Sequence, residues 1–338
     1  MTTRKLTSTD AFVVVDLPEA PVAAGIVRLA PKVLVDGATW LARTQTYQFA
    51  AFGRRASGAS AGINAAADGR VEALAAFVGE VGPDAAAGAL LLEPGRGVGA
   101  DDLADLRGSD PRPAAWWDQR DELRAVGVAA AAATASGGSL DGRTVAIEGF
   151  DANGPALAAA LSAAGATIVA VGTASGTVTA ADGLVPTALT EAWSAHGAGF
   201  PAELGEAGPA GAVLHAAADV LVVGSKAGAL GHEAVPGVQA RLVVPSGPIP
   251  VTAKALAALG RAGTVVLPDF LTTAGHLAAW PDGGGEPPAD LPAAAADLVA
   301  GAVGGVLDHP SGPVLGACEQ AETFLASWAE IPFGRPIA

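Results

Sequence analysis

Residues 140–171 read LDGRTVAIEGFDANGPALAAALSAAGATIVAV, and this stretch decides the fold class. Arg143 to Glu148 is a short β-rich run, Gly149 to Gly154 a glycine-bounded turn, Pro155 to Ala164 an Ala/Leu helix, and Thr167 to Val171 a second apolar strand. Strand, turn, helix and strand in that order make a βαβ unit. Such a unit opens a Rossmann-like, doubly wound parallel sheet, where the helix N-terminus and its glycines receive a dinucleotide pyrophosphate.

The glycine pattern is incomplete. In G-x-G-x-x-G spacing the first and third glycines are Gly149 and Gly154, and the middle position is Asp151. The middle glycine lets backbone approach the phosphates, so Asp151 brings a Cβ and a negative charge to that place. Two like charges about 4 Å apart repel by roughly 4 kcal/mol at an effective dielectric of about 20. The acidic residue that would bind a ribose 2′-hydroxyl after the second strand is missing from Ala170 to Thr173, and Thr173 tolerates a 2′-phosphate only weakly. Two readings of Asp151 stand side by side: a degenerate site for NAD or NADP, and a helix cap in a nucleotide fold without nucleotide.

With 338 residues, the chain is long enough for two domains, and 51% hydrophobic against 16% charged residues marks a well-buried globular protein. A net charge of −15 opposes nucleic acid and anionic membranes. A single cysteine, Cys318, excludes an intrachain disulfide and a cysteine zinc cluster, and His196, His215, His232 and His309 show no metal spacing. No apolar run has the length of a signal or membrane segment, so a cytoplasmic location is expected.

Around the organising unit, strands are expected at Ala11 to Asp16, Gly25 to Leu29, Ala87 to Leu92, Asp219 to Val223, Arg241 to Val244 and Thr264 to Leu267. Helices are expected at Val35 to Phe52, with Trp40, Leu41, Tyr47 and Ala51 on its covered face, and at Arg70 to Val81, Asp121 to Ala135, Thr252 to Gly260 and Phe270 to Trp280. Two more close the chain near Ala293 to Val306 and Cys318 to Ala329. Gly53 to Gly62 reads as a glycine-punctuated loop, and Pro281 to Pro292 as a linker.

Four segments in this order resemble the glutamate/leucine/phenylalanine/valine dehydrogenase family, most closely its shorter branch acting on apolar amino acids. LARTQTYQFA, Leu41 to Ala50, is similar to the family's helix ending in M-T-Y-K-A-A, and SGASAGI, Ser57 to Ile63, to its G-G-x-K-x-x-I loop. TVAIEGFDANG resembles the nucleotide turn V-A-I-Q-G-F-G-N-V-G. VVLPDFLTTAGH, Val265 to His276, resembles the V-I-P-D-x-L-x-N-A-G-G segment beside the nicotinamide.

The resemblance implies an N-terminal α/β domain that binds the amino acid and mediates oligomerisation, and a second domain that delivers NAD or NADP. It implies reversible oxidative deamination, in which one lysine holds the substrate carboxylate and a second lysine with an aspartate activates water. Carried over position by position, the first lysine falls on Gln48 and the second on Ser60, twelve residues apart as in the family. The aspartate falls on Gly95 or Arg96, and PSGP at Pro245 to Pro248 replaces the family's E-G-A-N. Gln48 accepts and donates hydrogen bonds but neutralises no carboxylate.

Arg54 and Arg55 are a candidate replacement clamp or a solvated basic pair. Asp101 and Asp102 are candidate acids or helix-dipole partners. Lys226 stands at a strand end where ligands of open sheets collect, His276 is a candidate proton carrier or a packed residue, and Trp116 with Trp117 lines a pocket or packs in a core.

The expected organisation is a substrate-type and oligomerisation domain over 1–135, a dinucleotide-type domain over 136–305 and a C-terminal helix over 306–338 that returns to the first domain. The expected function is a non-deaminating homologue acting as a ligand-binding or partner subunit. The alternatives are an NAD(P)-dependent oxidoreductase with an altered site and a structural subunit of an active dehydrogenase. The short, apolar strands Ala11 to Asp16 and Gly25 to Leu29, with no charge over Ala11 to Val15, read as an unpaired edge, giving a homo-oligomer, dimeric before higher forms, that charge at Val13 or Val14 would dissociate.

Overall fold

Five strands build the sheet of the first unit. The computed structural model describes residues 1–280, 286–332 and 334–337, so residues 281–285 of the expected linker lie outside the described residues. The chain divides into two units, residues 1–111 with 318–336, and residues 112–317 with 337–338.

In the first unit the strands are β1 (Thr2–Lys5), β2 (Ala11–Val15), β3 (Ala23–Ala30), β4 (Ser57–Asn64) and β5 (Leu90–Pro94), with helices α1 (Val35–Ala51), α2 (Arg70–Ala86) and α3 (Ala104–Arg107). Their order is β1-β2-β4-β3-β5, with β3 parallel to β4 and β5, and β2 antiparallel to β1 and β4.

Two expectations are corrected here. The glycine-rich segment is not a loop: Ser57–Asn64 is the central strand, and its residues are buried up to Ile63. A Cβ on Gly58 would lie 1.8 Å from the Ala42 carbonyl oxygen of α1, and one on Gly62 would lie 2.5 Å from the Phe12 ring. The glycines are there because a helix backbone presses on the strand, a use of glycine that turn chemistry imitates in sequence.

Nor is β2 an open edge, because β1 covers it in register from Thr2↔Val15 to Lys5↔Phe12. Val13 and Val14 are 3% and 0% exposed, and they face opposite sides of the sheet as neighbours in a strand must. Val13 joins the cluster under α2 with Phe77 and Leu92, and Val14 the cluster under α1 with Phe12 and Ala42. On α1, Tyr47 is buried but Trp40 is 39% exposed, so the covered face is carried by Ala38, Ala42 and Phe49 instead. The buried Asp16–Arg43 pair, 2.8 Å, ties the end of β2 to this helix. Residues 318–336 group with this unit through the Tyr47 hydroxyl, which donates to Glu322 at 3.0 Å, and through Arg43, whose Nη1 donates to the Gly334 carbonyl.

The second unit begins with α4 (Ala114–Ala135), whose alanine and glycine surface packs on α5 (Gly154–Ala163) and α10 (Leu291–Gly304). This places the boundary between units at Pro111, ahead of the helix. Its sheet holds β6 (Thr144–Glu148), β7 (Thr167–Gly172), β8 (Thr177–Thr179), β9 (Val220–Val223), β10 (Leu242–Pro245) and β11 (Val265–Val266). The remaining helices are α6 (Pro186–His196), α7 (Pro201–Leu204), α8 (Ala253–Arg261), α9 (Asp269–Thr272) and α11 (Pro313–Leu325), the last crossing from one unit's residues into the other's.

The order β11-β10-β9-β6-β7-β8 is that of a dinucleotide-binding sheet, β6 being the first strand and β9 the fourth. All its pairings are parallel except β7 with β8, which close as a hairpin. Continuous runs such as VLVV of β9, buried throughout, fit a sheet covered on both faces. The helix expected over Phe270 to Trp280 breaks after Thr272 into a 3₁₀ stretch, Ala274–Ala279. A Cβ on Gly275 would lie 1.9 Å from the Leu123 carbonyl oxygen, which shows how tightly α4 passes over this stretch.

Candidate functional site

Helix α1 and strand β4 run in opposite directions in the first unit, since Gly58 lies against Ala42 and Thr46 while Gly62 lies against Val33, just before the helix begins. Ser60 therefore sits beneath the middle of α1, and Gln48 lies beyond the Ser57 end of the strand. Both are buried. Gln48 accepts a hydrogen bond from Gln45 at 2.7 Å, and the Ser60 hydroxyl has no partner. The structure joins the two residues through no hydrogen bond, and neither can supply the positive charge that the resemblance calls for.

Gly95 continues the register beside Arg28, and a Cβ there would lie 2.8 Å from the Val27 carbonyl oxygen, so an aspartate fits at 95 only if the backbone moves. Asp102 accepts the Gly99 N–H at 2.6 Å and pairs with Arg70. Its surroundings raise its pKa, but these two contacts outweigh them and hold it below the ordinary carboxylate value. Asp102 thus braces its own loop. Arg55 is exposed, in the loop between α1 and β4.

In the second unit the nucleotide turn keeps its shape. Gly149 has φ +92°, and a Cβ on it would strike Ser225 N at 2.4 Å, so the first glycine is obligatory. The third, Gly154, makes room for the Phe150 ring, which would meet its Cβ at 2.4 Å. Phe150 in turn stacks with Phe200 and Trp193, at 5.1 and 6.0 Å between ring centres.

Asp151 is exposed and its Oδ1 accepts the Asn153 N–H at 2.8 Å. It closes a turn ahead of the helix and does not cap it, because the cap position is Asn153. The protein packed around its carboxyl, with a smaller contribution from Asp121, raises its pKa against the pull of that N–H.

A second carboxylate escaped the sequence reading. Glu148, the last residue of β6, accepts the backbone N–H groups of Gly224 and Ser225, both at 3.1 Å, and the Ser225 hydroxyl. These donors follow β9, and the crevice between the carboxyl ends of the first and fourth strands is where open sheets of this order bind ligands. The pattern in sequence that could have found it is a glutamate immediately before the turn glycine.

Thr173 is bonded within its own turn. It is 7% exposed, its hydroxyl donates to the Ala198 carbonyl at 2.6 Å, and it accepts the Ser175 N–H at 3.1 Å, fixing the β7–β8 turn. These bonds occupy the hydroxyl that the sequence reading offered to a 2′-phosphate. Lys226 is exposed just past β9.

His276 is 1% exposed, and burial, with Arg124 and Arg120 near it, pushes its pKa well below the ordinary value. Its Nδ1 lies 3.3 Å from Arg124 Nε and 3.1 Å from the Thr273 carbonyl, and its ring meets Trp116 edge-on at 5.9 Å. Its burial and its ring and backbone contacts are those of a packed residue. Trp116 is fully buried in the same core, with the Arg112 guanidinium 3.9 Å above its ring.

Asp269 is also buried and accepts the Ile249 N–H at 2.7 Å, which holds Ile249 at φ +51° in the PSGP loop. That conformation is strained for a β-branched residue. Burial raises the Asp269 pKa to about 6.

Among the described residues no group of side chains is arranged to hold a metal ion, and no helix is long and apolar enough to cross a membrane. A cofactor fits the second unit only in part: the turn's backbone has the required shape, but Glu148 and Asp151 place negative charge on its rim.

Residues 120–279 match the model of the Glutamate/Leucine/Phenylalanine/Valine dehydrogenase family. No curated protein matches the chain by sequence. Among solved structures, a hetero-hexameric glutamate dehydrogenase from Thermus thermophilus in its Leu-bound form is similar with a TM-score of 0.76 and 23% identity, over 95% of this chain and 86% of that one. L-Tryptophan dehydrogenase from Nostoc punctiforme is similar with a TM-score of 0.64 and 18% identity, over 97% and 95%. A further glutamate dehydrogenase gives a TM-score of 0.79 at 16% identity, over 94% and 80%. At these identities the structures speak for the fold. The family match itself covers residues 120–279, and the solved structures give the whole chain their two-unit α/β fold.

Proposed function

We propose that this chain is a non-deaminating member of its family that works as a ligand-binding or partner subunit. The observation that carries the reading is the pair Gln48 and Ser60, uncharged and buried where the resemblance places both lysines. Deamination needs a cation on the substrate carboxylate and a base for water, and proton transfer alone is typically worth about 10²- to 10⁴-fold. The carboxylates Glu148 and Asp151 at the nucleotide turn support the same reading from the second unit, because each opposes a pyrophosphate. NAD or NADP is accordingly a weak ligand.

Assembly with like or unlike subunits belongs to this reading. A chain of similar fold stands in a hetero-hexameric glutamate dehydrogenase with leucine bound, so the fold is compatible with unlike partners.

The test is turnover. Purified protein is expected to show no NAD- or NADP-dependent oxidation of glutamate, leucine, phenylalanine, valine or tryptophan, and steady turnover of any of them sinks the proposal. Activity gained by Gln48→Lys with Ser60→Lys would support the positional match.

A further inference from the structure

One backbone angle in the second unit is out of place for its residue. Among the described residues, Ile249 is the only one other than glycine with a positive φ, +51°. Left-handed backbone is costly for a β-branched side chain, and the following Pro250 narrows the choice further, since a residue before proline prefers extended values. Strain of this kind persists only where neighbouring groups overdetermine it. Ile249 is 3% exposed, so those groups belong to the protein and not to solvent.

Helix α9 supplies them. At one end of the loop after β10, the buried Thr272 hydroxyl donates to the Pro245 carbonyl at 2.6 Å. At the other end, the buried Asp269 carboxylate accepts the Ile249 N–H at 2.7 Å. The middle of the loop cannot give way toward β9, because a Cβ on Gly247 would already lie 2.4 Å from the Gly224 carbonyl oxygen, and the Ser246 N–H is bonded to the Val223 carbonyl at 2.9 Å. One turn of helix thus fixes residues 245–249 at both ends.

The carbonyl of Ile249 serves a different partner. It accepts the Gly228 N–H at 2.9 Å, and Gly228 belongs to residues 225–229 after β9, of which Ser225, Lys226 and Ala227 are exposed. This segment is tied at its start by Glu148, which accepts the Ser225 N–H at 3.1 Å, and just past its end by the Leu230 N–H on the Pro250 carbonyl at 2.9 Å. Between those ends Ile249 is what holds it down. Relaxing φ of Ile249 from +51° to extended values of about −75° to −120° would swing its N–H round relative to its C=O. With Asp269 and Gly228 where they stand, Ile249 satisfies both only in the strained conformation.

We propose that Ile249 is a two-position joint that shuts a flap, residues 225–229, at the carboxyl ends of β9 and β10. In the shut position Asp269 holds the Ile249 N–H and Ile249 holds Gly228. In the open position Ile249 is extended, both bonds are broken, and the flap pivots on its ends at Ser225 and Leu230, as hinge residues at element ends do. The flap carries Lys226 and borders the crevice between the first and fourth strands, where sheets of this order bind ligands. A ligand that meets the flap in one position only draws the population to that position. The joint goes beyond the function proposed above: it needs neither nucleotide nor amino acid, and it stands whether or not the chain deaminates.

The experiment is amide hydrogen exchange of the full chain, read residue by residue by NMR near neutral pH and without ligand. Asp269→Asn keeps the size of the side chain and gives up its charge, so it should accelerate the Ile249 and Gly228 amides together by about tenfold or more, while Val222 and Val243 in the strands keep their wild-type rates. Acceleration at Ile249 with Gly228 unchanged would mean that the flap is held independently, and equal acceleration of the strand amides would mean that Asp269 only supports the core; either overturns the proposal. Because Asp269→Asn can disturb the core, Gly228→Ala is the second variant. Gly228 has φ +68°, so alanine there disfavours the shut flap from its exposed side without touching Asp269. The buried Ile249 amide should then exchange about threefold faster or more. An Ile249 amide indifferent to Gly228→Ala overturns the joint.

Discussion

In the first unit, charge is missing where the family resemblance asks for it; in the second, charge is present where a ligand would not want it. Around Gln48 and Ser60 the packing is preserved down to the glycines that let α1 rest on β4, and the side chains that would do chemistry are neutral. Around Gly149 the turn is likewise preserved, yet Glu148 spends its carboxylate on the Gly224 and Ser225 N–H groups and Asp151 spends its own on the Asn153 N–H. The lesson is that shape and charge separate. Backbone geometry is held by steric necessities that tolerate no substitution, such as Gly58 and Gly149, whereas the charges of a site are set by residues the fold does not need.

The contrast breaks most visibly at the steric positions. Gly58→Val places side-chain atoms inside the α1 backbone, and Val14→Asp buries a charge in a cluster of apolar residues with no partner, so each should cost on the order of 4 kcal/mol or more and unfold the first unit. Urea denaturation followed by circular dichroism measures both. If Val14→Asp dissociated an assembly and left the fold intact, the placement of Val14 in the core would be wrong.

A titration gives the next largest effect. Asp269 has a folded pKa of about 6, raised by burial, against about 3.9 for an unfolded aspartate. The folded state therefore holds the proton more tightly. Its contribution to stability is fully present below about pH 4 and is lost as pH rises through about 6, a span on the order of 3 kcal/mol. Asp269→Asn should flatten the stability profile in that window, as read from urea midpoints at pH 4 to 7. A profile unchanged by the substitution would mean that Asp269 is ionised at no great cost.

Much of this was legible in the sequence, and what was missed has physical causes. The βαβ unit and the strand–helix alternation of the second unit were legible because their apolar periodicities are long and glycine falls at real turns. Ser57–Asn64 was not, because glycine in a strand pressed against a helix looks like glycine in a loop. β1 was missed because TTRK is wholly exposed and carries no apolar signal, and without it β2 looked like an edge. Positions 48, 60 and 95 were named only through the family resemblance, whereas Glu148 is marked locally by its place before the turn glycine but its partners, the Gly224 and Ser225 N–H groups, come from a distant loop that no local pattern reveals.

Charge at the nucleotide turn ranks third. If Glu148 and Asp151 are what oppose a pyrophosphate, Glu148→Gln with Asp151→Gly should strengthen NADH binding by roughly tenfold, equivalent to about 1.4 kcal/mol. Glu148→Gln retains an acceptor for the Gly224 and Ser225 N–H groups, so the turn should keep its shape. Titration of wild type and double variant at low and high salt decides the matter, because a repulsion through solvent shrinks with ionic strength. Equal affinities at low salt would shift the weight to shape, and tight binding by the wild type would favour the oxidoreductase alternative.

The smallest effect separates a turn residue from a ribose contact. Thr173 occupies the place after β7 where an acidic residue would meet the ribose, but its hydroxyl donates to Ala198 O and accepts the Ser175 N–H. Thr173→Val keeps the side-chain shape and removes both bonds, leaving the Ala198 carbonyl without this donor, so a loss of about 1–2 kcal/mol is expected in urea. Made in the Glu148→Gln, Asp151→Gly background, where nucleotide affinity is measurable, it should change NADH and NADPH affinity by less than about twofold and leave their ratio unaltered, because nothing in the site reaches the ribose through this hydroxyl. A shift in that ratio would show that Thr173 turns toward the nucleotide when one is bound, and that the hairpin it now closes is free to open.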